Sequence, residues 1–312
     1  MSLPFTTSVG KPILVFGGTG HYGRNIVRCL LDRGGHVRVL SRNAAGARSV
    51  LGAQPEVIEG DITSRSKVIS VLDGTRAIVI AISAFTWKAI RRRTEIERDS
   101  VLRILEEADR KGVARIVCLS GYDVREDFAE RLGVMAIAKP MLDVQAALTE
   151  SRLNWTVLGC SPSMEMFFAM IRGSKMIVPG GGPPALPSIS PIDVGKIAAQ
   201  AVLRDDIRGR RIRLPGPEAL SFPEAARRIS AVWNREIHFH RFPVTPLKIA
   251  SVLTRPFNPF LMYLAMAIKM LNNFPEELAA QVPTDHQLLL ETFDFTPTTL
   301  EVEARRRMGK SE

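Results

Sequence analysis

Cysteine is scarce in this chain: three among 312 residues, at Cys29, Cys118 and Cys160. No two stand at CxxC spacing, which argues against a zinc knuckle and against a redox dithiol. Thiols of this kind, spread through apolar segments, read as reduced cysteines of a cytoplasmic protein. Long apolar runs are also missing. No stretch reaches the ~18 apolar residues of a membrane span; residues 260–271 (FLMYLAMAIKML) come nearest, with Lys269 among them. The opening MSLPFTTSVG has no basic stretch ahead of an apolar run, so no secretory leader is expected. Acidic residues are outnumbered, 32 Asp and Glu against 42 Lys and Arg, leaving a net charge of +10. That excess suits an anionic partner such as a phosphorylated cofactor, nucleic acid or a lipid surface, without choosing among them. At 46% apolar and 24% charged residues the composition is globular, which excludes a disordered chain, a collagen and a disulfide scaffold. The length allows one large domain or two modest ones.

Up to about residue 160, short apolar runs alternate with helical periodicity. Strands are expected at 13–16, 37–40, 57–58, 77–81, 115–119 and 155–158. Helices are expected at 25–32, 100–109 and 139–150, the first ended by Gly34 and Gly35. Apolar strands without alternation, separated by helices, imply a parallel sheet covered on both faces. The reading is an α/β fold, a Rossmann-like doubly wound sheet, with a smaller and mostly helical C-terminal lobe. Residues 1–160 are assigned to the sheet domain, and about 187–214 are expected to return to it through a strand at 212–214. Residues 161–186 and 215–312 are assigned to the lobe. Residues 178–191, rich in Gly and Pro, read as loop, and Asp193 as the N-cap of a helix through residue 203.

The first strand runs into Gly17-Gly18-Thr19-Gly20-His21-Tyr22-Gly23. A GxxGxxG spacing alone is a weak signal; between a strand and a helix it reads as a phosphate loop. Gly17 permits the tight turn, Gly20 lets backbone approach a pyrophosphate, and Gly23 lets helix pack on strand. Amides at the helix start, with those of Thr19, His21 and Tyr22 beside them, then face anionic oxygens. The second strand ends in Ser41-Arg42-Asn43 where an NAD-preferring site would carry Asp or Glu. A guanidinium binds a 2′-phosphate that a carboxylate would repel, so Arg42, helped by Ser41, argues for NADP(H). Asp61, after the third strand, is placed to accept from an adenine amino group, or else is a turn residue. Ser83, after the fourth strand, is read beside the nicotinamide-side ribose.

These residues carry a resemblance. GGTGHYG, SRN, GDI, DSVLRILEEADRKGVARIVCLSGYD and LTESRLNWTVL resemble the NmrA-like group of atypical short-chain dehydrogenases/reductases. LSFPEAARRISAV, RPFNPF and TPTTLEVEARRR are similar to its C-terminal stretches, so the likeness spans about residues 12–307. It implies a Rossmann domain, bound NADP(H) and a substrate cleft under a helical lobe. It leaves the reaction open, since the group holds reductases, isomerases and proteins that bind the cofactor without turnover.

The reductases of the wider superfamily use YxxxK, and here it is missing. Four residues past Tyr22, Tyr122 and Tyr263 stand Ile26, Glu126 and Ala267. The corresponding stretch reads Met135-Ala-Ile-Ala-Lys139, lysine present and tyrosine replaced by a side chain with no transferable proton. The resemblance implies reliance on that lysine. Lys139, heading a helix at the cleft, is expected to hold the ribose hydroxyls and to protonate or polarise a carbonyl, its pKa lowered by desolvation. Ser120 at the fifth strand's end and Tyr122 are the further catalytic candidates. The 159–162 loop reads Gly-Cys-Ser-Pro where the group carries Arg-Pro-Gly.

Other constellations are weaker. His238 and His240 lie two apart without a third ligand, so no metal site is expected. The arginine runs at 91–93, 204–213 and 305–307 read as solvated faces, and no nucleic-acid partner is expected. Residues 260–271 read as a core helix of the lobe, the alternative being an apolar lid or a contact with a partner or membrane. The expected activity is NADPH-dependent hydride transfer to a small, apolar carbonyl or conjugated substrate. The competing readings are an NADP(H)-sensing regulatory protein, and an isomerase or cyclase that retains its cofactor. A protein partner or a second copy of the chain stays open.

Overall fold

The structure, a computed structural model, describes residues 10–308. The first half runs β1 (Ile13–Phe16), α1 (Gly23–Asp32), β2 (Val37–Ser41), α2 (Ala44–Leu51), β3 (Glu56–Glu59), α3 (Arg65–Leu72) and β4 (Ala77–Ile80). It continues through α4 (Ser100–Arg110), β5 (Arg115–Gly121), α5 (Glu126–Leu132), α6 (Met135–Glu150) and β6 (Trp155–Cys160). Then come α7 (Glu165–Ala169), β7 (Ile171–Arg172), β8 (Lys175–Pro179), β9 (Leu186–Pro187), α8 (Pro191–Ala201), β10 (Arg210–Leu214) and β11 (Ala219–Leu220). The C-terminal part holds α9 (Phe222–Trp233), β12 (His238–Phe242), α10 (Thr245–Thr254), α11 (Phe260–Asn272), α12 (Glu276–Ala280), α13 (Val282–Thr292) and α14 (Leu300–Met308).

Seven strands form one sheet in the order β10-β6-β5-β4-β1-β2-β3. The pairs β1–β2, β2–β3, β1–β4 and β4–β5 are parallel, so this is the doubly wound, Rossmann-like sheet. Every residue of β1 and β4 is buried, as continuous apolar runs require when helices cover both faces. One core joins Leu14, Phe16, Ile78 and Ile116 of the strands to Val68, Ile104 and Leu148 of the helices. Because β1 pairs with β2 on one side and β4 on the other, the chain reverses direction around β1. The carboxyl ends at that switch point are where such sheets bind ligands.

The chain divides into two compact units. The first comprises residues 1–124, 139–159 and 194–212, the second 125–138, 160–193 and 213–312. The segment returning to the first unit therefore spans 194–212 rather than 187–214, and 125–138 leaves it. In the second unit Phe167, Phe222, Ile229 and Leu300 make a separate core. Ser221 caps α9 by accepting from the Glu224 amide at 3.2 Å, with Pro223 in the first turn. Strands form there where the glycines and prolines suggested loop: β8 lies between β7 and β12, and β9 pairs with β11.

Four further expectations change. α6 begins at Met135, so Lys139 lies a turn inside it rather than heading it, with Pro140 following within the helix. The helix opens from Val134, whose carbonyl accepts the Ile137 amide at 2.8 Å. β6 extends through Cys160, so Gly159 and Cys160 are strand rather than loop. Asp193 lies inside the first turn of α8, buried, accepting from the Thr298 amide (2.7 Å) and hydroxyl (2.9 Å) instead of capping the helix. Finally, no residue of α11 is fully buried, so 260–272 is not a core helix.

Candidate functional site

The expected site residues of the first unit gather at the carboxyl edge of the sheet because their strands are parallel. Gly17 follows β1, Arg42 follows β2, Asp61 follows β3, Ser83 follows β4, and Ser120 lies at the end of β5. Sequence spacing cannot supply this convergence; strand order does.

The glycine loop is sterically closed to side chains. Gly17 has φ +78°, and a Cβ there would sit 2.2 Å from the Ala81 carbonyl oxygen. A Cβ on Gly23 would lie 2.0 Å from the Gly17 carbonyl oxygen, so α1 starts against the turn itself. The Gly20 amide donates to the Gly17 carbonyl at 2.9 Å, which closes the turn. Thr19, Gly20 and His21 are exposed, and Tyr22 is half-buried with its ring 4.9 Å from that of His21. Among the described residues no protein acceptor takes the amides of Gly18 and Thr19. The first turn of α1 contains no acidic residue, so the positive end of its dipole is uncompensated. A Cβ-free loop with outward amides fits a pyrophosphate.

Beside it, Arg42 is exposed, and among the described residues it has no hydrogen bond or ion pair. Ser41 is engaged locally: its hydroxyl lies 3.3 Å from the Asn43 amide and donates to the Asn43 carbonyl at 3.1 Å. Asn43 caps α2 through the Gly46 amide at 2.8 Å. Glu59 accepts the Ala44 amide at 3.0 Å, a carboxylate near this corner that sequence reading did not single out. Asp61 takes the turn role: its Oδ1 accepts the amide and hydroxyl of Thr63, both at 2.9 Å, with Arg92 at 3.9 Å from Oδ2. Burial pushes that carboxyl up, but the Thr63 bonds and the charges of Arg92 and Arg42 outweigh it and hold it below its usual range.

At the β4 end, the exposed Ser83 accepts the Phe85 amide at 3.3 Å. The next residue is fixed by a pair that sequence reading missed. Glu97 accepts the Ala84 amide at 2.7 Å and pairs with Arg93 at 2.7 Å. Arg93 is 4% exposed, so the 91–93 run is not a solvated face throughout. Glu97 sits in a π-helical turn, Glu95–Asp99, ahead of α4. An acidic residue four positions after an arginine was the available signal.

On the catalytic side, Ser120 accepts from Gln145 Nε2 at 3.0 Å. Arg211 of β10 donates to Gln145 Oε1 and to the Gly121 carbonyl, the latter at 2.7 Å, bracing the backbone before the buried Tyr122. Lys139 is exposed and ion-paired with Asp143, which also pairs with Arg98 at 2.7 Å. Because Lys139 is exposed, the desolvated environment expected for it is absent, and an anion stands one helical turn on. Burial pushes the Cys118 thiol up to about 12, which makes it inert. No group of three or more His, Cys, Asp or Glu suited to a metal occurs among the described residues. No described helix is long and apolar enough to cross a membrane.

The sequence profile of the NAD(P)H-binding family matches residues 17–205. A (4-alkanoyl-5-oxo-2,5-dihydrofuran-3-yl)methyl phosphate reductase of Streptomyces griseus is 27% identical over 247 residues, covering 78% of this chain and 82% of its own. Among solved structures, the quinone oxidoreductase QOR2 of Escherichia coli complexed with NADPH superposes with a TM-score of 0.69 at 16% identity. That alignment covers 94% of this chain and 99% of the other. A variant of NmrA does so with a TM-score of 0.70 at 16% identity, covering 97% of each chain. Loop, strand order and profile converge: the chain belongs to the NAD(P)H-binding family, and it shares its fold with NmrA and QOR2.

Proposed function

We propose that this protein is a reductase that prefers NADPH to NADH and acts on a small, apolar carbonyl or conjugated acceptor. The observation that carries the reading is Arg42, exposed and without a hydrogen bond or ion pair among the described residues, beside a glycine loop closed to side chains. The loop amides and the α1 terminus hold the pyrophosphate, and Arg42 with Ser41 holds the 2′-phosphate. Asp61 borders the adenine end. Ser83 and Lys139 hold the nicotinamide-side ribose. When bound, the dihydronicotinamide supplies hydride to the acceptor. Lys139 supplies the proton, its ammonium oriented by Asp143, and Ser120 and Tyr122 hold the acceptor oxygen. The reductase names of the relatives support this class of acceptor and leave its identity open.

Consumption of NADPH with a panel of quinones, enones and aldehydes is the test. Turnover with at least one acceptor is expected, and Lys139→Ala lowers kcat by about 100-fold or more, the size of general acid loss. Tight NADPH binding without turnover on any acceptor would instead favour the NADP(H)-sensing reading, which Met135 at the tyrosine position supports. Calorimetry with both redox forms separates the two, since a sensor must distinguish NADP+ from NADPH.

A further inference from the structure

Helix α10 in the second unit is amphipathic in the wrong direction. Ile249, Val252 and Leu253, at i, i+3 and i+4, are 57%, 72% and 68% exposed, and Phe257 in the following turn is 76% exposed. Ser251 and Asn258 are buried instead. The partner helix α11 packs along α10 yet has no fully buried residue of its own. Single exposed apolar residues are ordinary, but a stripe on one helix face marks a contact surface.

Charge identifies what covers it. Between Glu236 and Glu276 the chain contains no Asp or Glu, while Arg241, Lys248, Arg255 and Lys269 fall in that stretch. Lys269 donates to the Leu132 carbonyl at 2.5 Å. Lys248 and Arg255 flank the stripe, are exposed, and have no ion pair among the described residues. Elsewhere arginines are paired, as in Arg92–Glu95, Arg228–Glu218 and Arg307–Glu303. A two-fold contact of this patch with itself would set like cations together with no carboxylate in the stretch to neutralise them. An apolar stripe bordered by cations on long flexible stems matches the boundary between anionic headgroups and acyl chains.

We propose that α10 and the Phe257 turn seat this protein on the surface of an anionic lipid bilayer. Ile249, Val252, Leu253 and Phe257 enter the acyl boundary, and Lys248 and Arg255 reach the phosphates. The site lies within the second unit and is independent of the cofactor assignment.

The test is co-sedimentation of the full chain with vesicles of phosphatidylcholine alone or with added phosphatidylglycerol. Binding is expected only with phosphatidylglycerol and weakens as salt rises. A Lys248→Gln, Arg255→Gln double variant binds about 25-fold more weakly, a factor of about five for each cation. A Val252→Gln, Leu253→Gln double variant loses binding while keeping the wild-type circular dichroism and NADPH affinity, which shows that it remains folded. The proposal is overturned if the wild type ignores phosphatidylglycerol vesicles or if the stripe variant sediments with them as the wild type does. It is equally overturned if light scattering finds a dimer that the stripe variant dissolves, since a second copy would then be the occupant.

Discussion

At Gly23 a single methyl group decides whether the nucleotide loop can exist. A Cβ there meets the Gly17 carbonyl oxygen at 2.0 Å, and that oxygen is held by the Gly20 amide, so neither side can yield cheaply. Gly23→Ala is expected to cost about 3 kcal/mol, at the upper end for overpacking, and to abolish NADPH binding. Gly34, at φ +78°, has open space around it, so Gly34→Ala carries only the left-handed penalty of about 1–2 kcal/mol and keeps binding. Thermal melts with and without NADPH check the ordering. Arg42 acts through charge instead. Arg42→Asp removes bonds worth about 1.5–3 kcal/mol and adds repulsion, so NADPH affinity measured by calorimetry falls by about 10- to 100-fold or more. NADH affinity should hold or improve, and equal losses for both cofactors would mean that Arg42 does not read the 2′-phosphate. These residues were legible because their signals are local: glycine spacing between a strand and a helix, and the residue type at a strand end. The partners of Arg211 were not, because they lie far along the chain, 90 residues away for Gly121; Arg93 and Glu97 stand only four apart, a local signal hidden within an arginine run that read as solvated.

Within the second unit, Asp193 and His286 are groups that pattern reading assigned to helix capping or left aside. Asp193 is buried in the first turn of α8 and holds Thr298, and His286 of α13 stands in its field. Burial holds the imidazole below its ordinary value of 6.5, partly offset by Asp193 and by a backbone bond at Pro215. Its Nδ1 is buried without a hydrogen-bond partner among the described residues. The unfolded chain therefore takes up this proton before the folded chain does. Stability from this group is complete above pH 6.5 and is lost as pH falls through the lower folded value. Denaturant unfolding between pH 7 and pH 5 should show that decline, with a slope below the ~1.4 kcal/mol per pH unit of one fully linked proton, because the residue is only partly buried. His286→Gln should flatten it, and an unchanged slope would assign the loss to other groups. The elements themselves were largely readable, since buried parallel strands announce themselves as unbroken apolar runs. β8 and β9 were hidden because glycines and prolines in 178–191 look like loop when the pairing strands lie far along the chain, β12 some sixty residues beyond β8 and β11 some thirty beyond β9.

At the scale of the molecule, the chain leaves the nucleotide-binding unit and returns to it twice. Residues 194–212 complete that unit. They contribute α8, where a Cβ on Gly195 would lie 2.8 Å from the Asn25 backbone, so this helix lies directly against α1. They also contribute most of β10, the edge of the sheet. Arg115, at the head of β5 and 3% exposed, donates to the Ala201 carbonyl at 3.1 Å and to Thr156, whose hydroxyl in turn donates to the Ile207 carbonyl at 2.6 Å. Burial pulls the Arg115 guanidinium down to about 10, partly offset by Asp205 and Asp206, so it stays charged at neutral pH and needs acceptors for its buried donors. A fragment ending at residue 160 holds every residue of the nucleotide motif but lacks α8 and β10. It would leave the Arg115 guanidinium short of its Ala201 acceptor and one face of α1 bare. Breaking one side of such a buried charged network costs about 3–5 kcal/mol, a large share of the 5–15 kcal/mol that stabilises a typical domain. Residues 1–160 are therefore expected to give no cooperative melt by circular dichroism and no NADPH binding, whereas residues 1–212 give both. A folded, NADPH-binding 1–160 fragment would show that the returning segment is dispensable to the nucleotide site.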